Sequence, residues 1–244
     1  MKLSTLRGAF FLIIFNDMRY IYFLMIPIIS WGQINEINNS DFYRSGNFLL
    51  KELAQNNNLE IEGNPYLNKK FQEGKILFKN GNEYSTLIRL NMGTQKFEIK
   101  NSISKEEYEF TLDETANIQL NNKKYGIYSL NFEGSVNIMV LEEIKKGNEF
   151  SLFYYPKKNI EIPKKRESPA PASGFEKNTL PEWKDYSYYI ISYRDKHYRV
   201  INSHNKFSKL EIFKGFDYKN YRKRNKLNLK SRESLIDLIN ELNK

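Results

Sequence analysis

The sequence contains no cysteine. That absence excludes disulfides, thiolate nucleophiles, zinc ribbons and iron–sulfur ligation, and it leaves the redox compartment open. Histidine is scarce: His197 and His204 are the only two. Their spacing crosses from a strand end into a helix start and is not that of a metal-ligand pair. No Gly-x-Ser-x-Gly is present to support a serine nucleophile, and the 12 glycines sit singly, as turn residues do, so no phosphate-cradling loop exists. Long apolar runs are missing as well. The runs AFFLIIF (9–15) and YIYFLMIPIISW (20–31) are split by Asn16, Asp17, Met18 and Arg19. Neither reaches the roughly 20 residues of a spanning helix. Joined, they would place Asp17 and Arg19 near mid-membrane, at roughly 2.5–3.5 kcal/mol each.

What is present at the start fits an export signal better than an anchor. From Met18, Arg19 supplies a positive start, residues 20–28 an apolar region, and Ser30-Trp31-Gly32 a small-x-small cleavage site before Gln33. The sequence therefore predicts a signal peptide over residues 1–32, with translation starting at Met18. No cysteine follows the apolar region, so a lipoprotein-type lipid anchor is excluded. Cleavage would reduce the formal charge from +9 to +7. With 40% hydrophobic and 15% aromatic residues, the bulk of the chain is too rich in core formers for disorder.

Residues 33–62 form a polar, Asn-rich N-terminal segment, in which FLLKEL (48–53) predicts a helical turn or two. Residues 63–162 read as a β-meander. KILFKNGNEY, STLIRL, QKFEIK, EYEFTL, NIQLNNKKYGIYSL, SVNIMVLEEI and EFSLFYY are short, β-prone and punctuated by Asn, Gly, Asp and Lys. Phe97 and Ile99 share one face of KFEIK while Lys96 and Glu98 share the other. Asn80-Gly81 and Lys146-Gly147-Asn148 are turn signals. Residues 163–182 are a Pro-rich loop. Residues 183–244 carry two strands, DYSYYIISYR and KHYRVIN, turning at Arg194-Asp195-Lys196, then helices. Asn202 or Ser203 can cap HNKFSKLEIF, Asp217 can cap YKNYRKRNKL, and Ser231 the last helix. There, Leu235, Leu238, Ile239 and Leu242 make an apolar stripe that packs on the same sheet. The fold class is α+β: an antiparallel β-meander packed by C-terminal helices. With a helical end and no aromatic girdles, it lacks the signature of an outer-membrane barrel.

Two features suggest binding. Lys219, Arg222, Lys223 and Lys226 stack along one helical stripe, near Arg224, Lys230 and Arg232 and interleaved with Tyr218 and Tyr221. Such a stripe suits an anionic surface, although a solvated helix face explains it too. Trp183, Tyr186 and Tyr188 begin an aromatic cluster with Tyr189 and Tyr193. Aromatic residues on both faces of this strand indicate a central, covered position, and a stacking platform is the second reading. The acidic dipeptides Glu106-Glu107, Asp113-Glu114 and Glu142-Glu143 read as solvated faces and turns, because strand neighbours point to opposite sides.

GNPYLN (63–68), FQEGKI (71–76), IRLNMGTQKFEIK (88–100), the loop before YSYYI (186–190) and RNKLNLKSRESLIDLIN (224–240) follow one another in this order. In them the chain resembles a family of small exported proteins from Bacteroidetes-type bacteria, with a GNPYLN-like block near the mature N-terminus. The likeness runs from Gly63 to the C-terminus. It departs at residues 90–95, where that family has a slightly longer turn, and leaves the register there open. It implies export and a β-rich architecture, and brings no activity and no catalytic residue. The expected role is an exported, non-catalytic binding or scaffolding protein of the cell envelope, in the periplasm or at the cell surface. It would need no cofactor or metal, would not be an integral membrane protein, and would meet an envelope protein or an anionic glycan or lipid surface. The alternative is a carboxylate hydrolase of envelope glycan or peptide. Nucleic-acid binding in the cytoplasm ranks third, should residues 1–32 not be a signal.

Overall fold

A computed structural model describes residues 50–52, 60–101, 103–132, 135–163 and 180–244. The predicted signal, residues 1–32, lies outside them, as does most of the Pro-rich loop. The architecture is predominantly β. Thirteen strands are described: β1 Leu50–Glu52, β2 Gln72–Phe78, β3 Glu83–Asn91, β4 Lys96–Lys100, β5 Glu107–Phe110, β6 Ala116–Leu120, β7 Lys123–Phe132, β8 Ser135–Lys145, β9 Phe150–Tyr155, β10 Lys158–Glu161, β11 Glu182–Asp185, β12 Tyr188–Tyr193 and β13 Lys196–Arg199. Eleven form one sheet in the order β1-β5-β4-β3-β2-β6-β7-β8-β9-β12-β13, and β10 and β11 pair separately. All these pairings are antiparallel. The sheet is thus two hairpin meanders, β2–β5 and β6–β9, joined where β2 pairs with β6.

Turn chemistry explains the hairpins. Asn121 and Asn122 both take left-handed φ, 51° and 59°, between β6 and β7, as a tight two-residue hairpin requires. Between β3 and β4 the pairing closes at Asn91 and Lys96 with Gln95 at φ 62°, which fixes the register across residues 90–95. The helical turn expected in FLLKEL is not what its described residues form. Its residues Leu50–Glu52 are a strand laid on β5, since pairing an open sheet edge outweighs weak local helix propensity.

Cross-strand partners share a face, and Ile76, Ile118, Tyr125, Glu142, Tyr154 and Tyr189 are successive partners from β2 to β12. Two cores lie on this inner face. The first joins Ile76, Ile88, Leu90, Phe97, Phe110 and Ile118. The second joins Phe150, Leu152 and Ile191 to the helices. On the outer face Leu130, Leu141, Phe153 and Ile190 form a third, smaller core. β12 therefore carries core residues on both sides.

Helix α1 (His204–Phe207), a 3-10 turn (Glu211–Phe213), α2 (Tyr218–Asn225) and α3 (Arg232–Leu242) complete the chain. HNKFSKLEIF does not form one helix: it breaks after Phe207, and Ser203 makes no side-chain cap bond. Asp217 and Ser231 do cap, accepting the backbone N–H of Asn220 and Ser234. Leu235, Leu238 and Ile239 are buried against the second core, as the stripe requires.

Candidate functional site

Where the ends of β9 and β12 meet the helices, a groove of about 510 Å³ opens. Phe150 and Tyr193, partners across β9 and β12, stack there with centroids 4.5 Å apart and planes at 14°. Ile212, Phe216 and Leu242 extend the apolar lining, and Glu149, Arg194, Glu211, Lys214 and Glu241 make a charged rim. Asn243 ties α3 to this end of the sheet. Its side-chain oxygen accepts the N–H groups of Glu149 and Phe150, while its amide nitrogen donates to the Phe150 carbonyl. A side chain at Gly147 would meet Asn243 at 2.4 Å, so this turn has to be glycine.

Two of the rim carboxylates, Glu211 and Glu241, accept bonds from lysines. Lys196 donates to Glu211 at 2.6 Å, and Lys244 to Glu241 at 2.7 Å. These bonds lower both carboxyl pKa values. A general acid requires the opposite shift. The groove can bind an apolar group and steer charge.

The predicted binding residues fall in several places. Lys219, Arg222 and Lys223 are exposed on α2, and none is ion-paired with a described residue. The stripe ends at Asn225, because Lys226 turns into a left-handed C-cap at φ 48°. Tyr218 and Tyr221 are buried beneath it. Burial pushes the Tyr218 hydroxyl up to about 12, and His204 Nδ1 sits 2.7 Å from that hydroxyl. Trp183 lies in β11, with ring atoms 2.7 Å from where a Cβ on Gly93 would stand, and so clamps the β3–β4 turn. Tyr186 is exposed in the link before β12. Tyr188 is half-buried on the outer face, against Tyr155 and with the Arg199 guanidinium 4.0 Å over its ring. The helices pack on the other face, so Tyr188 and the basic helix do not form one site, whereas Tyr189 and Tyr193 of the same strand face the helices. α2 instead reaches the groove: Phe216 packs on Tyr221, and Arg224 lies 3.9 Å from Glu241.

Two carboxylates are buried. Glu98 is 2% exposed beside Arg89, whose Nε donates to it at 2.6 Å. The guanidinium is sandwiched between the Tyr66 and Phe71 rings, 4.0 and 4.1 Å away. The GNPYLN block is thereby pinned over β3 and β4. Glu142, read from sequence as a solvated residue, is 1% exposed. It lies under the N-terminus of α3, with Arg232 Nη1 at 2.5 Å and Lys123 Nζ at 3.4 Å. By its alignment the Arg232 contact is an ion pair rather than a good hydrogen bond. The neighbouring Tyr125 hydroxyl is buried with no hydrogen-bond partner among the described residues. Burial, with the Glu142 charge adding to it, raises its pKa.

Among the described residues no cluster of three His, Asp or Glu could hold a metal ion, and no helix is long and apolar enough to cross a membrane. The groove was not legible beforehand because it is assembled from four separated stretches. Of its lining, Tyr193 in the aromatic cluster and Leu242 in the α3 stripe stand out in the sequence, and nothing local brings them together. No family model, curated protein or solved structure matches the chain.

Proposed function

We propose that this chain is an exported, non-catalytic binding or scaffolding component of the cell envelope, and that the groove floored by Phe150 and Tyr193 is its docking site. One observation carries the reading: an aromatic floor and a charged rim stand together where both bonded carboxylates are shifted away from acid catalysis. Lys219, Arg222 and Lys223 of α2, none ion-paired with a described residue, favour a partner with an apolar side chain flanked by acidic groups. Envelope proteins meet that description, as do anionic glycans with an apolar face. Export rests on the run from Met18 to Gly32, whose charge order and small-x-small ending suit cleavage.

Fractionation of the native host with mass spectrometry of the mature N-terminus tests the compartment. A chain beginning at Gln33 in the periplasmic or surface fraction is expected. An intact Met1 or Met18 start in the cytosol would overturn export and bring nucleic acid forward as the partner of α2.

A further inference from the structure

β8 is longer than its neighbour. Its pairing with β9 begins at Glu142 and runs toward Lys145, whereas its pairing with β7 extends to Ser135. Among the described residues, 135–140 therefore present one row of backbone N–H and C=O groups that no other strand covers. Val136 and Ile138 point from this stretch to the same face, at 68% and 73% exposure. Ser135 and Asn137 are exposed as well. The other edge of the same hairpin is treated differently. At Asn131 of β7, the His197 ring reaches across from β13, its Nδ1 3.1 Å from the backbone nitrogen and 3.3 Å from the carbonyl. Phe132 packs on that ring. Among the described residues one edge is covered, and the other is left open.

Open edges are normally blunted by charge, proline, a bulge or a covering element. Residues 135–140 read SVNIMV and contain none of the first two; the one irregularity in β8 pairing lies at the far end, between Glu143 and Lys145. Lysine and arginine number 38 in this chain, so an uncharged stretch is where two copies can meet without setting like charges opposite each other. The sequence is also self-matching. In an antiparallel pair of identical strands centred on Asn137, Val136 of one copy faces Ile138 of the other, twice. Both exposed apolar side chains are then covered on one face, and the two Asn137 amides oppose each other on the opposite face.

We propose that the open edge of β8 at residues 135–139 pairs with the same edge of a second copy, joining two sheets across a two-fold axis at Asn137. Five residues span only about 17 Å of edge. The contact is smaller than the roughly 1,000 Å² of a durable interface, so the dimer is weak and concentration-dependent.

The absence of cysteine makes the test clean. Single variants Asn137→Cys and Ser129→Cys, the latter an exposed position on β7 of the same hairpin, are oxidised mildly at about 100 µM full-length protein. Residue 137 faces its own copy with Cβ atoms about 5 Å apart, within disulfide reach. Asn137→Cys is expected to give at least tenfold more disulfide-linked dimer than Ser129→Cys. Sedimentation equilibrium of the unmodified chain should show reversible dimerisation that Ile138→Lys weakens at least tenfold, with Ile103→Lys, an equally exposed position elsewhere, leaving it unchanged. Equal cross-linking from both cysteines, or a monomer at every concentration up to 1 mM, would overturn the proposal. The second result would leave the edge to a strand from a different protein.

Discussion

At position 142 a carboxylate occupies a sheet row otherwise made of isoleucine and tyrosine, between two apolar cores. Removing one partner of a buried pair is destabilising by about 3–5 kcal/mol, whereas replacing both with apolar groups is often neutral. Arg232 is partly exposed and Lys123 remains nearby, so Arg232→Met should lose about 2 kcal/mol in urea unfolding. The double variant Arg232→Met, Glu142→Leu should recover most of that. An additive double variant would mean that Glu142 is stabilised by something other than its ion pair. Arg89 invites a different contrast. A planar guanidinium between two rings is not replaced by an ammonium, so Arg89→Lys should restore less than half of the roughly 2–3 kcal/mol lost in Arg89→Ala. Alternation was available in the sequence for both carboxylates. Glu142 shares its parity with Val140 and Ile144, which points inward; Glu98 shares its parity with Lys96 and Lys100, and only the folding-back of residues 64–71 buries it. Nothing local announces that second case.

Among the elements, the β13–β7 contact makes a pH-dependent clasp. Burial pushes the His197 imidazole below its ordinary value, against the weaker opposing effects of the Asn131 backbone and Asp195. The unfolded chain therefore takes up this proton first as pH falls. Stability from the clasp is complete above about 6.5, the ordinary value, and is lost as pH falls through it. His204 is shifted the same way, by burial and then by Arg222, so both histidines contribute. His197→Asn should flatten part of the loss in thermal midpoint between pH 7 and pH 5; an unchanged slope would assign it to His204 and the carboxylates. At α3, Ser231→Ala should destabilise by about 1 kcal/mol, measurable in the same unfolding curves. The Asp217 and Ser231 caps, the α3 stripe and most strands of the meander were legible because each has a local cause: a side-chain acceptor, a 3.6-residue period, an alternation; β1, β10 and β11 were not. The break in residues 204–213 was not, because Phe207, Ile212 and Phe213 are drawn into the aromatic core around Tyr218. That packing is decided by distant residues. The pair Asn121-Asn122 was a turn signal of the right kind, hidden inside a run read as one segment.

For the molecule as a whole, the sequence carried the antiparallel sheet and its C-terminal helices but not the joining of two meanders through β2 and β6, nor the strand order that follows. Strand order depends on which edges meet after the hairpins form, and no residue encodes it alone. The same is true of the groove, which exists only once β9, β12 and the helices have met. Its role in docking is open to crosslinking inside the host. A photoreactive phenylalanine analogue at Phe216, which lines the groove, would be compared with the same analogue at Ile103. A discrete adduct with an envelope component is expected from position 216, reduced at least tenfold by Tyr193→Ala and absent from position 103. The same adducts from both positions, or adducts from 216 with cytosolic components alone, would contradict that role.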